Sequence, residues 1–313
     1  MIKIAFFGTP DFSVPTLKEL IKSEVFRVEV VITQPDKALG RGKKISYSPI
    51  KNIALENNIP TLQPNSIKKE WNDFKIELDK YNCDIGIVIA FGQILPTSLL
   101  QYFKYGCLNL HASLLPRWRG AAPIQAALEN GDTETGVCLM QMEEGLDTGG
   151  YYAKSILKLN DNYNAGQLHN ELADISAKLL LDNLNEVVNK KLKLVEQDNS
   201  QASYAKKISK ADEKINWAKT ARQIHNKIRS LSPYPGAYCL INNKRLKILK
   251  TKVLDETIKS PGGQIVYQDK SRLQIACGQG VLDILEVQIE GKKKMTIVEF
   301  LNGHELKQGD LLQ

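Results

Sequence analysis

The first half of this chain alternates short apolar runs with amphipathic stretches, and this alternation limits the folds that it can adopt. Five runs are dense in Ile, Val, Leu and Phe and lack regularly spaced polar residues: IKIAFFG (2–8), VEVVIT (28–33), DIGIVIAFG (84–92), CLNLHAS (107–113) and GVCLMQM (136–142). Such runs are typical of strands that are buried on both faces. The stretches between them have helical spacing, which predicts an α/β fold with a mostly parallel sheet and helices on both sides.

A long helical pattern closes this region of the chain. Leu and Ile recur at spacings of three and four over residues 164–190, whereas residues 191–207 are polar and aperiodic. A short helical stretch, the turn SPYPGA (232–237) and several strand-like runs follow at close spacing. With 313 residues the chain exceeds the usual size of a single domain. We predict a first domain over residues 1–190, a linker over 191–207 and a small OB-like β-barrel over 208–313.

The basic charge is concentrated in the last third of the chain. The net charge is +7, but residues 1–205 carry 22 Lys and Arg against 24 Asp and Glu, whereas residues 206–313 carry 20 against 11. A basic region of this kind favours a polyanionic partner. Scattered lysines also keep a small domain soluble, so the charge alone leaves both interpretations open.

The chain contains no recognisable export signal, membrane span or metal motif. The opening MIKIAFFGTPDF is an apolar strand followed by turn residues, without the length and cleavage site of a signal peptide. No window approaches the roughly eighteen apolar residues of a membrane span. The five cysteines are widely spaced and form no CxxC pair, which indicates reduced thiols and not disulfides or a zinc site. We expect a cytoplasmic protein without a metal.

Three polar segments follow predicted strands, where ligands bind in open α/β sheets. They are GTPDFS, FGQILP and NLHASLLP. The first has Gly8 alone, without the further glycines that allow a backbone to approach a pyrophosphate. A nicotinamide-dependent oxidoreductase is therefore disfavoured, although the fold class would allow one.

Asn109 and His111 form the first candidate catalytic pair. They lie two residues apart on a predicted strand, so their side chains point to the same face. Polar groups at the end of a buried strand are either paired with backbone groups or functional. Asp147 lies in the glycine-rich acidic turn EEGLDTGG (143–150) after the next strand. It is either a solvated carboxylate in a turn or one that is presented to His111.

Asn, His and Asp together suit acyl transfer to an amine. An amine needs no Ser or Cys nucleophile; it needs donors to an oxyanion and a route for protons from the amine to the leaving group. Asn109 and protonated His111 are the candidate donors, and Asp147 is the candidate partner that orients His111. Ser113 is an alternative nucleophile that would give a hydrolase, but no GxSxG motif surrounds it.

The polar segments resemble those of the methionyl-tRNA formyltransferases, in the same order and over most of the chain. The segments concerned are GTPDFS, QPDKALGRGKK, FGQILP, NLHASLLPRWRGAAPIQ and GLDTG. The Asn-x-His, SLLP and DTG elements alone would mark the broader group of enzymes that take a formyl group from 10-formyltetrahydrofolate. The longer RWRGAAPIQ and QPD…GRGKK segments and the added carboxyl-terminal barrel are more specific to this family.

The resemblance implies a Rossmann-like domain joined to an OB-like barrel, and transfer of formyl from 10-formyltetrahydrofolate to the α-amino group of methionine on initiator tRNA. It implies that Asn109, His111 and Asp147 are catalytic. It assigns contacts with the folate to a larger set of residues: Phe91, Gly92, Ser113, Leu114, Leu115, Pro116, Gly145, Leu146 and Thr148. The chain departs from the family at Phe91, where Tyr is common, and at Ala112, where Gly is common, and neither change touches the proposed proton chemistry.

The loop ALGRGKK (38–44) supports an RNA partner from its own residues. It follows the second predicted strand and therefore projects from the edge of the sheet that carries the candidate catalytic groups. Arg41, Lys43 and Lys44 are suited to contact phosphates of an acceptor stem. A solvated surface loop is the alternative, but the basic last third of the chain favours RNA. We expect a monomer that binds initiator methionyl-tRNA.

Two other functions remain open on the sequence. One is a formyltransferase that acts on a small amine, such as a glycinamide ribonucleotide or an amino sugar; neither acceptor requires a basic carboxyl-terminal region. The other is a non-catalytic RNA-binding protein that has kept the fold. The latter predicts RNA binding that is insensitive to folate and unchanged by His111→Ala.

Overall fold

The computed structural model describes residues 1–39, 44–241, 243–258 and 261–313. These residues form two compact units. The first unit comprises residues 1–120, 135–157 and 169–204. The second comprises residues 121–134, 158–168 and 205–313.

The described residues form seventeen strands and eight α-helices. The strands are β1 (Ile2–Gly8), β2 (Phe26–Ile32), β3 (Lys37–Leu39), β4 (Lys44–Ser46), β5 (Thr61–Leu62), β6 (Ile85–Ile89), β7 (Cys107–His111), β8 (Arg119–Gly120), β9 (Glu134–Gln141), β10 (Tyr151–Lys158), β11 (Tyr204–Ala205), β12 (Ala237–Ile241), β13 (Lys244–Asp255), β14 (Ile265–Gln268), β15 (Leu273–Ala276), β16 (Val281–Ile289) and β17 (Met295–Thr296). The helices are α1 (Val14–Lys22), α2 (Pro49–Glu56), α3 (Trp71–Asp79), α4 (Thr97–Leu100), α5 (Pro123–Glu129), α6 (Ala165–Val188), α7 (Ala221–Leu231) and α8 (Ile297–Leu301).

A seven-stranded sheet with the order β10-β9-β7-β6-β1-β2-β5 forms the centre of the first unit. The strands from β7 to β5 are parallel, and β9 runs antiparallel to β7. The predicted α/β fold with a mostly parallel sheet is therefore confirmed. All five predicted strands of this region are present, because their apolar runs are buried on both faces. Edge strand β10 was missed because YYAKSILK mixes polar and apolar residues.

Aromatic packing supports the strand ends that carry the polar segments. Phe7 on β1 lies edge to face with Phe91, at 5.6 Å between ring centroids, and with Phe103, at 6.3 Å. All three side chains are buried. Burial of each such ring contributes about 1.5–3 kcal/mol to stability. The turn after β6 is thus held on the core.

The second unit contains an antiparallel sheet with the order β12-β13-β16-β15-β14, and β17 pairs with β16. The carboxyl-terminal residues join its two edges. Leu240 on β12 and Gln313 exchange backbone hydrogen bonds, and the amide of Leu312 donates to the oxygen of Gly263 at 2.9 Å, beside β14. These bonds close the sheet into a barrel, as the closely spaced strands predicted. Helix α7 packs Ile224, Ile228 and Leu231 into this core.

The polar segment after α6 is part of the first unit up to residue 204 and is not an extended connection. The side chain of Gln197 within it is buried. Hydrophobic periodicity does not detect a segment that is held by polar side-chain contacts. The domain limits at residues 190 and 208 stay a prediction.

Most of the cysteine side chains lie in the protein core. Four of the five cysteines are buried, all but Cys83. Burial raises the pKa of the Cys138 thiol to about 11, which keeps it protonated near neutral pH. No helix within the described ranges is long and apolar enough to cross a membrane.

Candidate active site

Asn109 and His111 lie at the end of β7, at the edge of the sheet where parallel neighbours β6 and β1 also end. The register places Asn109 between Val88 of β6 and Met140 of β9. Its half-buried side-chain amide lies 3.9 Å from the Met140 sulfur, and a thioether is a weak acceptor. The Asn109 amide is therefore available as a donor to another group.

The imidazole of His111 is buried and has a defined tautomer. Its Nε2 lies 3.0 Å from the main-chain oxygen of Trp118. A carbonyl oxygen only accepts, so Nε2 carries the hydrogen and donates. Nδ1 then faces the Oδ2 atom of Asp147 at 3.7 Å. This distance suits an ion pair but exceeds a hydrogen bond, so Nδ1 remains available to a substrate atom.

Asp147 is positioned by the short strand β8 and by glycines on either side of it. Its Oδ2 accepts a hydrogen bond of 2.8 Å from the amide of Gly120. Its backbone is left-handed, with φ of 53°. A side chain on Gly149 would clash with the main-chain oxygen of Gln141, so only glycine allows the turn to lie this close to β9. The Asp147 carboxylate therefore faces His111, and with 16% of its side chain exposed it is not a solvated turn residue.

The SLLP segment is held by internal contacts. The buried Ser113 hydroxyl donates to the oxygen of Arg117 at 2.6 Å. The Leu115 amide donates to the Cys138 sulfur at 3.3 Å, and the Lys154 ammonium donates to the Leu115 oxygen at 2.6 Å. Because its hydroxyl is buried and already donating, Ser113 is unsuited to nucleophilic attack, which disfavours the hydrolase alternative.

The turn after β6 is tied to two other strand ends. Thr9 Oγ1 and Gln34 Nε2 donate to the oxygen of Phe91 at 3.0 and 3.1 Å. Gln34 Nε2 also donates to the oxygen of Gly92 at 3.0 Å. Gly92 has φ of 80°, and a Cβ there would lie 2.5 Å from Gln34 Nε2. The GTPDFS, QPD and FGQILP segments therefore form one surface, and sequence analysis missed the role of Thr9 and Gln34.

This surface suits a flat heteroaromatic ligand. Ile94 and Leu146 leave large apolar side chains exposed, at 79% and 58%. The segments that carry them are joined where Thr97 Oγ1 donates to Glu144 Oε2 at 3.4 Å. Pockets for such ligands combine apolar side chains with a few fixed polar groups. Ile94 and Leu146 supply the apolar side chains here, and the hydrogen-bonded backbone around Phe91 and Gly92 supplies the fixed polar groups.

Strands β3 and β4 pair antiparallel and form what we call the basic hairpin (residues 37–46), which is anchored by contacts next to its first residue. Lys51 Nζ contacts Asp36 Oδ2 at 2.5 Å, and Gln63 Nε2 donates to Asp36 Oδ1 at 2.9 Å. Burial opposes ionisation of Asp36, but these hydrogen bonds and the Lys51 charge hold the pKa of its carboxyl below the usual value. The segment 38–44 was predicted to be a loop. Instead, it begins in strand β3 and ends at the first residue of β4, and these two strands pair antiparallel.

Two of the three predicted RNA-contacting residues of this hairpin, Arg41 and Lys43, lie outside the described residues. The third, Lys44, is the first residue of β4. Contacts of these three residues with RNA therefore stay a prediction.

Sequence analysis also missed a buried polar group behind Asp147. The Arg119 guanidinium donates to the Gln197 Oε1 atom through Nε at 3.0 Å and Nη2 at 2.8 Å. Nη2 also contacts Asn199 Oδ1 at 2.7 Å. The Arg119 side chain is 2% exposed. Its partners lie about eighty positions away, so no local pattern marks them.

Comparison with known sequences agrees with this geometry. Residues 2–184 match the formyl transferase family, and residues 207–305 match the formyl transferase carboxyl-terminal domain. The methionyl-tRNA formyltransferase of Syntrophomonas wolfei is 45% identical over 99% of this chain and 98% of its own length. That of Coxiella burnetii (strain CbuK_Q154) is 45% identical over 97% of this chain and 96% of its own.

Solved structures share the fold. A sugar 3N-formyl transferase, WlaRD, crystallised with dTDP and 5-N-formyl-THF, is 25% identical with a TM-score of 0.66, and the match covers 94% of this chain and 99% of that one. HypX from Aquifex aeolicus in complex with tetrahydrofolic acid is 15% identical with a TM-score of 0.63, over 100% of this chain and 50% of its own, which shows the fold alone. From its sequence and its fold, the chain belongs to the methionyl-tRNA formyltransferase family.

Proposed function

We propose that this protein transfers the formyl group of 10-formyltetrahydrofolate to the α-amino group of methionine esterified to initiator tRNA. The observation that carries the proposal is the convergence of Asn109, His111 and Asp147 at one edge of the sheet, in a chain of this family. The reaction forms a bond between the amino nitrogen and the formyl carbon and breaks the bond between that carbon and N10 of the folate. One proton leaves the amine and one reaches N10.

Asn109 and His111 supply the donors to the formyl oxygen. Negative charge develops on this oxygen as the amine adds, and donors placed beforehand stabilise it. The Asn109 amide has only a weak acceptor beside it. Protonated His111 directs an Nδ1–H toward the same side, because Nε2 is already used by Trp118.

Asp147 supplies the negative charge that keeps the imidazolium in place and receives protons from the amine. Its Oδ2 is held by Gly120, 3.7 Å from His111 Nδ1. Its Oδ1 accepts no hydrogen bond from the described residues, so it is free to accept one from the incoming ammonium or from a water molecule. Positioned groups of this kind accelerate proton transfer by about 10²–10⁴.

The folate is held by the surface built from the ends of β1, β2 and β6 and by the SLLP and 145–148 segments. Phe91 provides a buried ring below this surface, and Ile94 and Leu146 provide exposed apolar contacts. The fixed backbone groups around Gly92 suit the polar edge of a pterin. When bound, the donor supplies an activated formyl group on an amine nitrogen that departs readily.

The initiator tRNA is held by the basic hairpin and by the carboxyl-terminal barrel. The hairpin follows β2 after residues 33–36, and the carboxyl end of β2 lies on the same edge of the sheet as His111. The excess of basic residues beyond residue 205 favours contacts with phosphates. We assign catalysis and the RNA contacts of the hairpin to residues 1–190 and further RNA binding to residues 208–313, in a monomeric cytoplasmic enzyme that uses no metal.

The test is transfer of labelled formyl from 10-formyltetrahydrofolate to methionyl initiator tRNA by the purified protein. Methionyl elongator tRNA and a nucleotide-linked amino sugar serve as competing acceptors, because a sugar formyl transferase shares this fold. Rapid formation of formylmethionyl initiator tRNA supports the proposal. Transfer to the amino sugar alone would contradict the acceptor, and no transfer to any acceptor by folded protein would contradict the reaction.

A further inference from the structure

Arg119 and Gln197 form a bridge behind Asp147. The Gln197 amide nitrogen lies 2.9 Å from the main-chain oxygen of Asp147 and 2.6 Å from that of Gly149. Its two hydrogens therefore span the turn from residue 147 to residue 149. On the other side, Gln197 Oε1 accepts both hydrogen bonds from Arg119. All four of these hydrogen bonds require the same orientation of the Gln197 side-chain amide.

The orientation of Gln197 follows from chemistry. A guanidinium only donates, so the amide oxygen must face Arg119, and two carbonyl oxygens only accept, so the amide nitrogen must face the turn. Both side chains are buried, where an unsatisfied polar group is unfavourable. Reversal of the amide would leave four contacts unmet. Arg119 thus determines which end of Gln197 meets Asp147.

The turn requires this support because its backbone is unfavourable. Asp147 has a left-handed backbone, a conformation that is less favourable for any residue with a side chain than for Gly, although Asp and Asn tolerate it better than most. Strained residues of this kind persist only where the surroundings hold them. Gly120 holds the carboxylate, and Gln197 holds the carbonyl of the same residue. Arg119 and Gly120 are neighbours on β8. This short strand therefore holds Asp147 at two points: Gly120 contacts its carboxylate directly, and Arg119 reaches its carbonyl through Gln197.

We propose that Gln197, oriented by Arg119, is a positioning residue that holds Asp147 at its working distance from His111. The inference rests on the proposed role of Asp147. Gln197 takes no part in proton transfer, because its two amide hydrogens are donated to the main-chain oxygens of Asp147 and Gly149 and neither reaches the Asp147 carboxylate. Its contribution to catalysis passes through Asp147 alone.

The test variant is Gln197→Glu. A carboxylate keeps the two hydrogen bonds from Arg119 and strengthens them, but it cannot donate to the carbonyls of Asp147 and Gly149. Misplacement of a reacting group by about 1 Å costs about a hundredfold in rate, so we expect single-turnover transfer to fall tenfold to a hundredfold. The KM values for donor and tRNA should change less than threefold. Gln197→Asn, which shortens the reach of the same amide, is the second variant if Gln197→Glu does not fold.

The matched control is Asn199→Ala. Asn199 contacts the same guanidinium but not the turn, and it is exposed. We expect its transfer rate to stay within twofold of the parent. A similar loss in Asn199→Ala and Gln197→Glu would overturn the proposal, because a general structural effect of the Arg119 contacts would then account for both.

A double-mutant cycle separates positioning from structure. If Gln197 acts only through Asp147, Gln197→Glu should cost less than threefold in an Asp147→Asn background. Full additivity would contradict the proposal. Hydrogen exchange of peptides covering residues 143–150 gives a readout that does not need activity: faster exchange is expected in Gln197→Glu and not in Asn199→Ala. Unchanged exchange would overturn the proposal even if formyl transfer itself were absent, and so the two failures are distinguishable.

Discussion

The Nε2 atom of His111 donates to the main-chain oxygen of Trp118 at 3.0 Å, and this bond decides which nitrogen of the imidazole faces Asp147. Trp118 has a left-handed backbone with φ of 60°, and its amide donates to Ser203 Oγ at 3.0 Å. The basic loop after SLLP therefore sets the tautomer of His111.

Replacing Asp147 by Asn should lower single-turnover formyl transfer by about a hundredfold or more. The amide keeps the size of the carboxylate but removes the charge beside His111 and the proton acceptor. Glu143→Gln, in the same acidic turn and exposed, is the control and should stay within twofold. A rate for Asp147→Asn within tenfold of the parent would remove Asp147 from the mechanism.

Replacing Gly92 by Ala should weaken binding of the folate donor. The left-handed conformation is unfavourable for Ala by about 1 kcal/mol, and the new Cβ would press on Gln34 Nε2 at 2.5 Å. We expect the KM for the donor to rise about tenfold or more while the KM for tRNA changes little, as measured by steady-state kinetics. Gly291→Ala is the matched control, because Gly291 is also left-handed but its added Cβ meets nothing within 4 Å. Equal effects at the two glycines would contradict a folate surface at Gly92.

Binding of initiator tRNA should weaken steeply with salt. Each phosphate contact contributes a slope of about −0.7 to −0.9 to the logarithm of affinity against the logarithm of salt concentration. Joint replacement of Arg41 and Lys43 by Gln should reduce this slope by about two, as measured by filter binding or anisotropy. Lys75→Gln serves as the control, because Lys75 pairs with Asp79 on α3. A flat dependence in the parent would mean that the basic residues do not contact the RNA.

The stability of the second unit should fall as the pH is lowered from about 7 to 5. Burial and the charges of Arg229 and Arg222 lower the pKa of His225 below its usual 6.5, although Asp161 opposes them. The unfolded chain then binds a proton that the folded chain does not, so stability is complete above 6.5 and is lost below it, by up to about 1.4 kcal/mol per pH unit.

The comparison for this effect is His225→Gln, which keeps a side chain able to bond Thr251 but does not titrate. Urea unfolding at pH 8, 6.5 and 5.5 measures both proteins. We expect a smaller loss of stability for His225→Gln over this range. Equal losses in the two proteins would exclude His225 as their source.

The parallel sheet, its five inner strands and the long helix α6 were predictable because their signals are local. An apolar run such as IKIAFFG becomes a buried strand wherever it lies in a sheet, and the Leu and Ile spacing of residues 164–190 fixes the buried face of a helix. The types of Asn109, His111 and Asp147 likewise indicated acyl transfer to an amine before any distance was known.

Tertiary structure alone decided how these groups are held. The tautomer of His111, the contact of Gly120 with Asp147 and the closure of the barrel by Gln313 each depend on residues that are distant along the chain. The bridge from Arg119 to Gln197 joins positions 78 residues apart. Periodicity records only which face of an element is buried; a hydrogen bond between distant polar side chains leaves no periodic mark, because it depends on where the folded chain brings them together.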